Sequence, residues 1–256
     1  MMTQSISIFS TELLRVKNSF ALWITVAGSL CIPILLFLTF LTEWQEFVPG
    51  VGENPWDDYL VRAANGCCFF AQITIVFIIG LIVNIEHDAN GWKHIFVLPI
   101  SKSSSYINKL SIIMLALVFF LSIYFISTLL FGVYLGYTRP ELAFLQHVPN
   151  WWNLSAFILR FFVATLGIIA FQFWISFRLR NLAASMTIGI LCIAMGLLLK
   201  NWEYISYFPY SAPFLMLNYD TNQSEFFQLY HWNSICWFIF ITALSFTDFT
   251  RRFNGF

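Results

Sequence analysis

The sequence predicts an all-α membrane protein that crosses the bilayer six times. Apolar stretches occupy 20–41, 66–85, 110–135, 154–176, 182–199 and 232–247, and Arg160 is the one charge inside them. Hydrophobic residues make up 59% of the chain and charged residues 10%, against about 25% charged in soluble domains. A helix rises about 1.5 Å per residue, so roughly 20 residues cross a hydrocarbon core. Backbone placed in lipid must satisfy its own hydrogen bonds, which makes these stretches helices rather than loops or open sheet.

The 256 residues are read as a single membrane domain, 1–256, with no room for a sizeable soluble one. The aromatic load of 30 Phe, 10 Trp and 10 Tyr suits lipid contact and the interfacial belts. Cys31, Cys67, Cys68, Cys192 and Cys236 lie in or at the ends of apolar segments, without the spacing of a disulfide framework or a zinc site.

Residues 5–18 mix Ile6, Ile8, Phe9, Leu13, Leu14 and Val16 with Glu12, Arg15 and Lys17. They read as an amphipathic helix on the inner interface, with a frayed tail as the alternative. The first apolar run starts late and lacks a small-x-small site after it, unlike a cleaved signal peptide. Pro49, Gly50, Gly52, Asn54 and Pro55 make 42–65 an irregular outer connection. Its Glu53, Asp57 and Asp58 read as a solvated acidic face, since their spacing matches no calcium loop. In 136–153, Trp151 and Trp152 beside Pro149 read as an outer interfacial anchor.

The segment 200–231 is too apolar for an exposed loop and too broken by Pro209 and Pro213 to span. It is expected to lie on or dip into the outer leaflet as short helices. Phe208, Tyr210, Phe214 and Met216 there either shape a hydrophobic substrate path or plug the bundle.

The formal net charge is zero, and no nucleic-acid partner is expected. The charges are nevertheless polarised. With a cytoplasmic N-terminus, Arg15, Lys17, Lys93, Lys102, Lys109, Arg178, Arg180, Arg251 and Arg252 fall inside, against Arg62, Arg139, Arg160 and Lys200 outside. Acidic residues run the other way. This is the lysine/arginine bias of cytoplasmic loops, so both termini are expected in the cytoplasm.

Among the inner pieces, 86–109 is the longest and the best candidate for docking or chemistry. Gly91 to Leu98 can form a short amphipathic helix, Pro99 stops it, and Ser101 is placed to cap the helix that follows. Phe96, Val97 and Leu98 give the link an apolar face that needs a cover, whether a partner, the membrane or the bundle itself. Glu86 is expected to pair with Arg178 or Arg180.

Several chemistries lack their residues. There is no Gly-x-x-x-x-Gly-Lys-Ser/Thr loop, no Gly-x-Ser-x-Gly elbow and no His-Glu-x-x-His pair. His87, Asp88 and His94 share a loop, but their spacing fits no common metal pattern. The spans hold no Asp or Glu, where ion-driven carriers place an ionisable residue near the midplane. Gln72 and Gln172 read as inter-helix hydrogen-bonding residues.

The pattern Glu86, Gly91, Leu98-Pro99-x-Ser101, Tyr106, Lys109 resembles the loop after the second span of ABC-2 type permeases. It is most similar to the small permeases of bacterial lantibiotic or bacitracin immunity and export systems, with Lys102 where many relatives have Arg. The topology resembles theirs throughout the chain. The resemblance implies a type V exporter-like architecture with an N-terminal interfacial helix and short outer re-entrant helices before the last span. It implies a bacterial inner (cytoplasmic) membrane location and a transport subunit rather than an enzyme. Glu86, Gly91, Trp92, Phe96, Leu98, Pro99, Ser101 and Lys109 would couple this chain to separate ABC ATPase subunits. ATP and Mg would be bound by that partner, with no cofactor in this chain. A second permease, identical or a sister chain, and membrane lipid complete the expected partners. The substrate would be hydrophobic or amphipathic, a peptide antibiotic or a lipid. The alternative is a membrane scaffold or assembly subunit without a transport path.

Overall fold

The computed structural model describes residues 12–50, 52–88, 102–217 and 226–252. After helical residues 12–17, the long helices are α1 (Phe20–Thr42), α2 (Pro55–Asp88), α3 (Lys102–Thr138), α4 (Trp151–Arg178) and α5 (Leu182–Leu198), with a short α6 (Ala212–Leu215) and a final α7 (Leu229–Arg252). No strand occurs among the described residues. Five helices are long and apolar enough to cross a membrane, while α5, with 17 residues, is shorter. At about 1.5 Å per residue α5 spans roughly 25 Å, at the lower limit of a crossing helix. The near end of the bundle carries the described chain termini, because residues 12 and 249 both pack against α3 near its start.

The first correction to the sequence reading concerns α2, which begins at Pro55 and absorbs much of the expected connection 42–65. Pro55 tolerates the first helical position because its missing N–H would have no intrahelical partner there. The Asn54 side-chain oxygen accepts the Trp56 backbone N–H at 3.1 Å, and Asp57 and Asp58 sit in the first turn where the helix dipole favours carboxylates. The first turns then bury Trp56, Tyr59 and Ala63. Polar residues on the other face had hidden this helix from a search for apolar runs.

The far end is closed by an aromatic cluster of Phe40, Trp56, Tyr59, Leu135, Leu142 and Phe144. The Trp56 indole N–H donates to the carbonyls of Phe144 and His147. The 136–153 connection therefore packs down as two 3-10 turns, Pro140–Leu142 and Phe144–Gln146. Trp151 and Trp152 stay exposed at the start of α4. Arg62 pairs with Asp58 at 2.7 Å, and Glu53 accepts the Gly50 N–H, so these two acidic residues are tied locally.

Residues 200–217 enter the bundle. A Cβ placed on Gly167 of α4 would sit 3.0 Å from Pro209, and Gly167 lies about 24 Å along that helix from Trp151. The Tyr210 hydroxyl reaches further and donates to Gln172 Oε1 at 3.1 Å. Non-helical backbone at this depth must be satisfied by protein. Ser211 Oγ contacts the Ile205 and Phe208 carbonyls at 2.6 and 2.7 Å, Asn233 Nδ2 donates to the Ser206 carbonyl, and the Trp237 indole to that of Tyr207.

Gln172 is the hub of this contact. Its Nε2 donates to the Ser185 carbonyl at 3.2 Å, closing the hairpin of α4 and α5, while Ser176 and Ser185 share a 2.7 Å hydroxyl bond. It thus bonds between helices as its sequence context predicts. Gln72 does not: its Nε2 donates to Cys68 of its own helix at 2.7 Å. Close approach depends on two glycines of α5. A Cβ on Gly189 would meet Gln172 Oε1 at 2.5 Å and Val76 at 2.7 Å, and one on Gly196 would meet the Tyr210 backbone at 3.1 Å.

Gly189→Val is therefore expected to push α5 off α2 and α4 and to destabilise the bundle by about 1–3 kcal/mol, the cost of overpacking. The loss should appear as a lowered melting temperature of the purified protein in detergent, with Ala183→Val at an exposed position of α5 as the control.

Candidate functional site: a buried ion cluster at the root of the 86–109 link

Glu86 lies in the last turn of α2 and Lys109 two turns into α3. Both are buried, at 0% and 2% exposure, and Glu12 beside them is 6% exposed. Lys109 Nζ donates to Glu86 Oε1 at 2.9 Å and to Glu12 Oε2 at 2.5 Å. Arg15 Nη1, half-exposed, approaches the same Glu86 oxygen at 3.4 Å. Two carboxylates face two cations, so the cluster is neutral overall. Three segments meet in it: the N-terminal helical residues, the end of α2 and the start of α3.

The two ends of the link that the sequence singles out, residues 86 and 109, are thus joined by their own ion pair. This corrects the expected partner of Glu86. Arg178 instead pairs with Asp248 of α7 at 3.5 Å and lies over the Trp174 ring, whose N–H donates to Asp248 at 3.2 Å. Lys109 wins Glu86 because α2 and α3 lie side by side here, whereas Arg178 points from α4 towards α7.

Around the cluster the near end is laced together. His87 Nε2 lies 3.1 Å from the Ser176 carbonyl, joining α2 to α4. The Tyr106 hydroxyl donates to the Thr242 carbonyl at 3.2 Å, and its ring packs against Phe173, Phe246 and Phe249. These contacts make a cross-braced platform from which the link departs. Gly91, Trp92, Phe96, Leu98, Pro99 and Ser101, and with them the expected short helix and cap, lie outside the described residues. His94 lies outside them too, and no group of three potential metal ligands occurs among those described.

The other candidate set stays together. Tyr210, Phe214 and Met216 are buried in one core cluster with Phe208 packed half-buried against it, and Met216 also lines a cavity of about 410 Å³ near the far end. Sequence reasoning missed Glu12 and Arg15 as site residues, and Asp248 as a brace. The available signal was sign: Glu12 and Asp248 are acidic residues on the side where bases dominate.

A buried charge that loses its partner costs far more than the pair contributes. Lys109→Met is expected to destabilise the protein by about 3–5 kcal/mol because it leaves Glu12 without a cation and Glu86 with only the half-exposed Arg15. Adding Glu86→Gln and Glu12→Gln to that variant should recover most of the loss. Chemical denaturation in detergent across this cycle measures the coupling, and strict additivity would contradict the shared-lysine geometry.

With this geometry in hand, comparison with known proteins adds one match. A family described as ABC-2 family transporter protein matches residues 8–196, which takes in the ion cluster, the link, α1 to α4 and most of α5. No curated protein and no solved structure matches the chain. The match covers well over half of the chain, and the chain belongs to the ABC-2 family of transporter membrane proteins.

Proposed function

We propose that this chain is the permease subunit of an ATP-binding cassette transporter, driven by ATP that a separate ATPase subunit binds with Mg and hydrolyses. The observation that carries this reading is the Glu86–Lys109 pair closing the base of the link. A partner can transmit force only through a projecting segment that is rigidly rooted. A link whose flanking helices are clamped together through residues 86 and 109, 23 positions apart, and braced to the N-terminal segment through Glu12, moves as a lever with α2 and α3. Phe96, Val97 and Leu98 on that link supply the apolar face for the partner. The chain contributes the lever and the path and needs no cofactor of its own.

In this reading α5 is a sixth crossing, so both termini share one side, taken as the cytoplasmic side of a bacterial inner membrane. The basic bias of the near end supports that orientation. Two permeases, identical or paired with a sister chain, would assemble with two ATPases and move a hydrophobic or amphipathic substrate, a peptide antibiotic or lipid, out of or across the membrane.

The test is co-purification of the tagged chain with an ABC ATPase and measurement of the ATP hydrolysis it stimulates. Phe96→Asp and Gly91→Trp should leave insertion intact while weakening association and abolishing stimulated hydrolysis. Wild-type behaviour of both variants would refute the docking role, and absence of any ATPase partner would favour a scaffold subunit. Orientation is tested separately: a reporter after Phe256 should read cytoplasmic, and reporters near Asn54 or Asn222 external, whereas a cytoplasmic signal at Asn222 would overturn the six-crossing topology.

A further inference from the structure

Two arginines at the far end stand over aromatic rings, and they differ in what else they hold. Arg62 lies 5.0 Å from the Phe47 ring centroid and also pairs with Asp58 at 2.7 Å. Arg139 lies 5.3 Å from the Trp44 ring centroid. Among the described residues its guanidinium has no ion pair and no hydrogen bond, and its Nε is buried without an acceptor. A charged donor buried in this way is costly, and a ring face attracts the charge without accepting those N–H groups as an oxygen would. The C-terminal end of α3 favours a cation at this place. It does not satisfy the N–H groups.

The place of Arg139 along the bundle says what could supply the acceptor. Arg139 follows directly on α3, as the 3-10 turn Trp44–Phe47 follows on α1. The two helices run side by side below, where Phe37 of α1 packs on Phe131 and Tyr134 of α3. The apolar stretches end at 41 and 135, so Trp44 and Arg139 stand about 4–6 Å beyond them. Head groups add about 5–7 Å to each side of a hydrocarbon core, which makes this the level of lipid phosphates. Leu38, Leu130 and Tyr134 are exposed beneath it, a surface for acyl chains. Charge narrows the ligand further. Glu43, next to Trp44, and Glu141, two positions beyond Arg139, are exposed and have no ion pair among the described residues. An unpaired guanidinium flanked along the chain by unpaired carboxylates is complementary to a group that carries both signs. The guanidinium fork matches phosphate oxygens, and carboxylates accept the N–H groups of an ammonium.

We propose that Arg139, Glu43 and Glu141 bind the head group of one phosphatidylethanolamine in the far-end leaflet, with its hydrocarbon chains lying along α1 and α3. Phosphatidylcholine offers the same charges but no ammonium N–H, and phosphatidylglycerol offers the phosphate but no cation for the carboxylates. The site is a property of this chain alone and does not depend on an ATPase partnership. Its failure and the failure of the permease reading are therefore distinguishable.

The experiment titrates the full chain, delipidated in a maltoside detergent, with phosphatidylethanolamine, phosphatidylcholine, phosphatidylglycerol and glycerophosphoethanolamine, and reads the tightest binding step by native mass spectrometry. Phosphatidylethanolamine should bind tightest. Arg139→Gln should weaken that step by about tenfold or more, the loss expected for one charge-assisted contact. Glu43→Gln combined with Glu141→Gln should remove the preference over phosphatidylglycerol, while Arg178→Gln at the near end should change neither result. Phosphatidylcholine or phosphatidylglycerol binding as tightly as phosphatidylethanolamine would overturn the head-group assignment. Glycerophosphoethanolamine binding as tightly as the lipid would overturn a membrane source. Wild-type binding by Arg139→Gln, or an unchanged preference in the double glutamate variant, would overturn the site.

Discussion

One ammonium group shared between two carboxylates organises the near end of this protein. Lys109 sits where α2, α3 and the N-terminal helical residues converge, and all three charged side chains are buried. Burying two acids and a base is expensive, and a hydrophobic trio of similar volume can be as stable. What such a cluster supplies is a single arrangement: neither carboxylate can swing away without giving up its buried cation. The N-terminal segment is held to the bundle by this constraint, and the link between α2 and α3 leaves from a defined base.

The core above the cluster follows a related logic with neutral groups. Gln172, Ser176, Ser185 and Tyr210 satisfy one another across α4, α5 and the entering segment. In lipid, apolar side chains gain little by leaving the solvent, so interfaces are set by close approach and by a few polar contacts. Gly189 and Gly196 provide the approach, and Gln172 provides the contact. The near end is thus fixed by ions and the middle by amides and hydroxyls, while aromatic rings close the far end.

The crossing segments were legible in the sequence because sustained apolarity has no other use at that length. The boundaries were less so. The first turns of α2 alternate buried Trp56, Tyr59 and Ala63 with exposed Asp57, Asp58 and Arg62, which lowers local hydropathy without breaking the helix. Glu86 and Lys109 were picked out as the limits of a loop, yet their pairing was not, since it depends on which helices lie side by side. The same holds for Asp248 with Arg178 and for Tyr210 with Gln172. Each is a contact between segments far apart in the chain, and single-sequence periodicity carries no information about it. Gln72 shows the converse: a polar residue in an apolar run suggested a bridge, but a carbonyl one turn earlier lay closer.

The lengths of the helices carry a mechanical consequence. With 34 residues, α2 is about 51 Å long, whereas the hydrocarbon it crosses is about 30 Å thick. Tilt alone would have to exceed about 50° to contain it, beyond the upper limit of roughly 40° for such helices. α2 therefore stands clear of the membrane, and α3, longer still at 37 residues, stands with it. α5, at 17 residues, falls a few ångströms short of that thickness. The bundle thus joins two helices much longer than a bilayer is thick to one that is shorter than it. A bilayer thickened or thinned around the bundle would press on the long and short helices differently, making the height difference itself a handle by which membrane composition acts on the helices that hold the link.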